Sequence, residues 1–237
     1  MQSSFDRENF NQSKEQEVYS YARKYVLTVS ESLNSLAEKR TQFVMPLLER
    51  ILNAFAQEKL GTHHFHSLTG YAHSDLGREV IDRIYAIVLG AEKAAVRVQF
   101  VSGTHAIASC FFGILRPGDS LLSVTGNPYD TLQEVIGTRG SGQGSLKDFG
   151  ILYDQVNLFN KEQIDFKNLD KALTKSTKLV FIQRSCGYSW RASLSLKSIQ
   201  NLCEFVHIRQ PDCVCFVDNC YGELVEDKEP SEVGADL

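Results

Sequence analysis

Ser102, Gly103 and Thr104 follow an apolar run and open a stretch, Ala106, Ile107 and Ala108, of helical character. The unpaired N–H groups of a helix start, with the positive end of its dipole, favour a phosphate dianion, and a glycine there lets the backbone come close to it. Thr104 adds a hydroxyl. Farther along, Cys213, Val214, Cys215, Phe216 and Val217 have the composition of a buried strand, which brings Asp218 to its carboxyl end ahead of Cys220 and Tyr221. A carboxylate at that place can keep a pyridine nitrogen protonated, so that the ring withdraws electrons. Tyr221 can reach a phenolic oxygen on the same ring, and Tyr129, in Asn127-Pro128-Tyr129 at the end of another run, can stack on the ring plane. Each feature also has an ordinary reading. Ser-Gly-Thr caps many helices, an Asp after a strand caps the next turn, and a tyrosine at a helix start packs in a core.

Elements that would hold these groups follow from the spacing of apolar residues. From residue 17 to 60 they recur at helical period, as Val18, Tyr21, Tyr25, Leu33 and Leu36, then Phe43, Leu47 and Ile51. This predicts an N-terminal helical arm, residues 1–60, made of two helices joined near residues 39–41. Residues 61–237 read as α/β. Strands are expected at 95–101, 120–124, 151–158, 178–182 and 213–218, with helices at 104–115, 129–137, 166–173 and 196–208, the last two N-capped by Asp165 and Ser195. The alternation predicts a mainly parallel sheet with flanking helices. Ligands bind at the carboxyl ends of the strands in such sheets, where Ser102 to Thr104, Tyr129 and Asp218 all fall. In that setting the three features together point to pyridoxal 5'-phosphate.

Composition narrows the field. With 237 residues, 43% of them hydrophobic and 23% charged, the chain can bury a sizeable core. A net charge of -4 and no Lys/Arg cluster argue against nucleic acid as a partner. No apolar stretch reaches the roughly 18 residues of a membrane span, and the polar N-terminus lacks a signal-peptide core, so a soluble, cytoplasmic protein is expected. The six cysteines form no C-x-x-C pair and sit mostly in apolar runs, as reduced, buried thiols do. A zinc site finds no support in their spacing, and His63, His64 and His66 have no carboxylate or thiol partners nearby in sequence. Gly140 to Gly144 match neither a P-loop nor a complete dinucleotide fingerprint.

These segments, with Thr69-Gly70-Tyr71, Asp75-Leu76-Gly77-Arg78-Glu79, Gly142 to Gly150 and Gly187-Tyr188-Ser189-Trp190-Arg191, closely resemble the methionine gamma-lyase family associated with aluminium resistance. That family belongs to the fold-type-I pyridoxal phosphate enzymes of cysteine and methionine metabolism. The resemblance implies a cofactor held at Ser102, Gly103 and Thr104, stacked on Tyr129 and paired through Asp218, with Tyr221 beside it. It implies an amino acid substrate and a homo-oligomer in which Tyr71 and Arg78 approach a neighbouring subunit's phosphate. The chain departs from the family at Ala72, His73, Cys186 and Ala192. In the family a Schiff-base lysine follows soon after Gly-Ala-Asp-Leu, which here is Gly234 to Leu237; Lys228, the one lysine after Asp218, stands among acids. The resemblance therefore implies a partial pyridoxal phosphate domain, residues 61–237, inactive by itself and without its catalytic lysine. Two readings stay open beside it: a catalytically dead interaction subunit, and an α/β domain binding another phosphate such as a nucleotide.

Overall fold

A computed structural model of the chain describes residues 2–66, 75–140, 143–157, 159–160 and 163–237. It divides into two compact units, residues 1–52 and 53–237.

The arm is built of a single helix, α1 (Gln2–Gln57), and not of two. Residues 39–41 lie inside it, and the Thr41 hydroxyl donates to Ala37 O at 3.0 Å, a back-bond that lets a threonine sit within a helix. Val18, Tyr21, Tyr25, Leu33 and Leu36 are exposed on it.

In the second unit four parallel strands form a sheet of order β2-β1-β5-β6: β1 (Ser120–Ser123), β2 (Leu152–Gln155), β5 (Thr177–Gln183) and β6 (Val214–Asp218). A two-residue pair, β3 (Phe159–Asn160) and β4 (Gln163–Ile164), stands apart. The helices are α2 (Leu76–Val88), α3 (Gly103–Ile114), α4 (Asp130–Ile136), α5 (Phe166–Ala172) and α6 (Leu196–Arg209). Asp165 and Ser195 cap α5 and α6 through their side chains, as their sequence positions predict.

The period of two in a strand sorts the core into two layers. Leu121, Leu179, Phe181 and Phe216 face α3 and α4, packing on Ile107, Phe111, Leu132 and Ile136. Leu122, Val180, Ile182, Cys215 and Val217 face the other way, against Leu169 of α5 and Ile199, Leu202, Cys203 and Val206 of α6. Phe111, fully buried, meets Phe181 and Phe216 edge-on at centroid distances of 5.4 and 5.6 Å and so fixes α3 over the sheet. From β1 the chain crosses to β2 on one side, while from β5 it crosses to β6 on the other. The order thus reverses between β1 and β5, and a crevice opens beyond the carboxyl ends of strands at such a reversal.

Residues 95–101 are not a strand. The Val96 N–H and the Arg97 guanidinium bind Asp82 of α2 at 2.7, 2.6 and 2.7 Å, leaving Val98 and Val101 91% and 81% exposed. Alternating apolar residues make a strand only beside another strand, and here α2 takes the segment instead. The α2 helix itself, capped by the Asp75 side chain, escaped the sequence reading. Among the described residues no helix is long and apolar enough to cross a membrane.

Candidate functional site

One cavity of about 400 Å³ lies at the strand carboxyl ends. Gly103 at the first turn of α3, Tyr129 at the start of α4, and Asp218 and Tyr221 at and beyond the end of β6 all line it. Four of the sequence-predicted residues, from three separate stretches of chain, therefore share one space.

The α3 end is built by Ser102, whose extended backbone and hydroxyl cap the helix by accepting the His105 N–H at 3.1 Å. A Cβ built on Gly103 would meet no heavy atom within 4 Å, so this backbone stands open to the cavity. The Thr104 hydroxyl donates to the Tyr129 phenol at 3.3 Å and contacts the Thr131 hydroxyl at 2.7 Å, tying α3 to α4. Burial pushes the Tyr129 phenol up, against the Thr104 hydrogen bond, with the nearby Asp218 and Cys220 adding to the rise. It stays a neutral aromatic surface.

Asp218 is reached by the alternation of β6. It shares the face of Phe216, the face α3 covers, so its carboxyl looks toward the N-terminus of that helix. Burial raises it above the usual carboxylate range, opposed by the hydrogen bond it accepts from the Cys220 N–H at 3.2 Å, with Glu223 adding to the rise. A half-buried carboxyl with one such bond has acceptor capacity left for a donor in the cavity. A protonated ring nitrogen is such a donor, and the amide-lined α3 start suits a phosphate, so these residues fit pyridoxal phosphate in chemistry and volume.

Tyr221 has φ of +69°, a left-handed backbone costly to a residue with a side chain, and it is 85% exposed. Arg184 holds this turn. Its buried guanidinium donates to Leu194 O (3.2 Å), Asn219 Oδ1 (2.7 Å), Gly222 O (2.8 Å) and Glu226 Oε1 (2.6 Å), and its own N–H donates to Asp218 O at 3.0 Å. Gly222 lies so close that a Cβ would come within 2.5 Å of Arg184 Nη1.

Other predicted residues stand elsewhere. Arg78, on α2, pairs with Asp75 at 3.2 Å and does not line the cavity. Tyr71, with Thr69, Gly70, Ala72 and His73, lies outside the described residues. Lys228 is exposed and also away from the cavity. Conversely, Ile107, Gln183, Gly187 and Tyr188 line it without having been singled out one by one. Gln183 ends β5 beside Asp218 in register, a relation that only strand pairing reveals.

Residues 22–237 match the family described as methionine gamma-lyase. The uncharacterized protein YnbB of Bacillus subtilis (strain 168) is 47% identical over 189 residues, which are 79% of this chain and 45% of YnbB. A solved Listeria innocua protein, proposed to be a cystathionine beta-lyase involved in aluminium resistance, is 46% identical with a TM-score of 0.84, over 88% of this chain and 51% of that one. A carbon-sulfur lyase involved in aluminium resistance from Clostridium novyi NT is 42% identical with a TM-score of 0.82, over 88% and 50%. The chain spans about half the length of these relatives. With the matched segment taking in both the α3 start and the β6 carboxylate, the chain belongs to the methionine gamma-lyase family.

Proposed function

We propose that the cavity between α3 and β6 binds pyridoxal 5'-phosphate, and that the chain supplies this cofactor-holding part to a carbon-sulfur lyase acting on a sulfur-containing amino acid. The reading rests on one observation: the open helix start at Gly103 and the half-buried carboxyl of Asp218 line the same cavity, together with Tyr129. When bound, the cofactor supplies an electron-withdrawing ring that eases loss of the proton beside the amino acid carboxylate and departure of the sulfur group.

The chain's residues have distinct tasks. The amides of Gly103 and Thr104 and the α3 dipole hold the phosphate, while the Thr104 hydroxyl keeps α3 against Tyr129 and Thr131 of the α4 start. Tyr129 offers a neutral ring face, which orients a planar ligand without competing for its charge. Asp218, unfavourably buried as an anion, recovers that cost beside a cation and so keeps a proton on the ring nitrogen. Arg184 does not enter the cavity; it fixes the turn that carries Asp218 and Tyr221.

The test is equilibrium binding of pyridoxal phosphate, followed by absorbance and dialysis, against pyridoxal without its phosphate and against ATP. Binding at least tenfold tighter than pyridoxal, weakened by Asp218→Asn, supports the reading. Preference for ATP, or equal binding of the phosphorylated and unphosphorylated pyridoxals, overturns it.

A further inference from the structure

On the opposite face of β6 a second chemistry collects. Cys213, Cys215 and Val217 point away from the Asp218 side, into the layer covered by α6. His207 Nε2 on α6 lies 3.0 Å from Asp236 Oδ2, and this oxygen also accepts the Cys215 N–H at 2.7 Å. The ligating atoms of His207, Cys215 and Asp236 all lie within 4.8 Å of one another, the group among the described residues that brings three such atoms together. Cys203, one turn before His207 on the same face of α6, is a hydrogen-bond partner of the Cys215 thiol. The segment carrying Asp236 is held beside β6 by backbone bonds, Asp236 N–H to Cys215 O at 2.9 Å and Val217 N–H to Leu237 O at 2.8 Å. Gly234, with φ of +106°, lets it pass so close to α6 that a Cβ would come within 3.3 Å of Cys203 Cβ.

We infer that Cys203, His207, Cys215 and Asp236 form a binding site for a thiophilic divalent cation, zinc by its chemistry, joining α6, β6 and the segment that ends at Leu237. Two thiolates, an imidazole and a carboxylate are a zinc ligand set. Zn–S distances of about 2.3 Å and Zn–N distances of about 2.0 Å put tetrahedral ligands about 3.5 Å apart, so for His207, Cys215 and Asp236, whose ligating atoms lie within 4.8 Å of one another, side-chain movements of about 1 Å close on the ion, with Cys203 reaching it beside the Cys215 thiol. His207 and Asp236 have that freedom, with side chains 31% and 45% exposed, and they leave an entry from solvent; Cys203 and Cys215 are fully buried behind them. The Cys215 N–H already orients the carboxylate, as outer hydrogen bonds do at metal centres.

The site is independent of the cofactor cavity, and so is its test. The reduced, chelator-treated 237-residue chain is titrated with Co²⁺ as the spectroscopic probe, and then with Zn²⁺ in competition. The expected result is one equivalent of Co²⁺ with a thiolate-to-cobalt charge-transfer band, displaced by Zn²⁺. His207→Gln and Asp236→Asn each weaken it at least tenfold. Both side chains are partly exposed, so these variants fold even where Cys215→Ser does not. Cys186→Ser/Cys220→Ser, which removes thiols outside the cluster, leaves the band unchanged. Absence of the band at one equivalent overturns the site, as does a band that survives H207Q and D236N or disappears with Cys186 and Cys220.

Discussion

Replacing Arg184 by Met keeps an unbranched chain of similar length but removes the fork that holds the turn after β6. The loss can be worked from its partners. Nη1 leaves Asn219 Oδ1 and the buried Gly222 O, Nε leaves the buried Leu194 O, and Nη2 leaves Glu226. Breaking a buried ion pair by removing one partner costs about 3–5 kcal/mol. Here the cost sits at the low end, because Glu226 is 36% exposed and keeps the Leu196 N–H at 3.0 Å, while Arg184 itself is 5% exposed. About 3 kcal/mol is expected, roughly a 100-fold loss in the folding constant. With a urea slope of about 2–3 kcal/mol/M the midpoint falls by about 1 M. Urea unfolding followed by far-ultraviolet circular dichroism measures this, with pyridoxal phosphate binding as a second readout, since Asp218 and Tyr221 ride on the released turn. Arg184→Lys is expected to recover only part of the stability, because a single ammonium cannot reach Leu194, Asn219, Gly222 and Glu226 together. A midpoint shift below about 0.3 M for R184M, far under the ~1 M that the ion-pair cost implies, would refute the reasoning.

Other substitutions separate holding the fold from holding the ligand. Asp218→Asn should move the two in opposite directions. The Asp218 carboxyl is raised in the folded chain, so the folded state favours its protonated form. Its ionisation costs stability as pH rises through the folded value, and nothing below the unfolded one. D218N should therefore melt higher than the wild type at pH 7 and equal to it well below pH 4, while binding pyridoxal phosphate more weakly; a lower melting temperature at pH 7 contradicts the burial argument. Gly103→Ala puts a methyl into open space at the α3 start. Thermal melts should be unchanged within a degree or two, and phosphate-dependent binding should fall at least tenfold; unchanged binding would remove Gly103 from the ligand's reach. Phe111→Ala opens a void between α3 and two strands, and loss of a buried Phe costs about 3–5 kcal/mol. A loss under about 1 kcal/mol in chemical denaturation, well short of the usual cost of that void, would show that Phe181 and Phe216 close over the gap.

The parts of this fold that the sequence announces are those decided locally. Asp165 and Ser195 begin their helices because a side-chain oxygen three residues ahead of a free N–H needs no tertiary partner. The strands at Thr177 and Val214 carry near-continuous apolar runs, as a parallel sheet covered on both faces demands. Residues 95–101 alternate apolar and polar side chains as a half-covered strand would, yet their fate depends on Asp82, which binds Val96 and Arg97 instead. The same holds at the site. Tyr129, Asp218 and Tyr221 are found by looking just beyond strand ends and Gly103 by its helix start, although the segment before it is no strand, whereas the place of Gln183 beside Asp218 emerges only from the β5–β6 register.

That register also explains how one short strand serves two chemistries. Successive side chains of β6 alternate between faces, so Phe216 and Asp218 belong to the cavity layer and Cys213, Cys215 and Val217 to the α6 layer. The sequence Cys-Val-Cys-Phe-Val-Asp shows thiols and a carboxylate side by side, and spacing alone finds no metal pattern in it, because the remaining ligands come from a helix one turn long in its relevant part and from a segment 21 residues beyond Cys215. Folding separates what the sequence places together and joins what it keeps apart. A slip of β6 by one residue would exchange the two sets, burying the carboxyl against α6 and turning the thiols toward the α3 start. The Phe111 contacts to Phe181 and Phe216 oppose that slip from one side, and the bonds between Cys215 and Asp236 oppose it from the other.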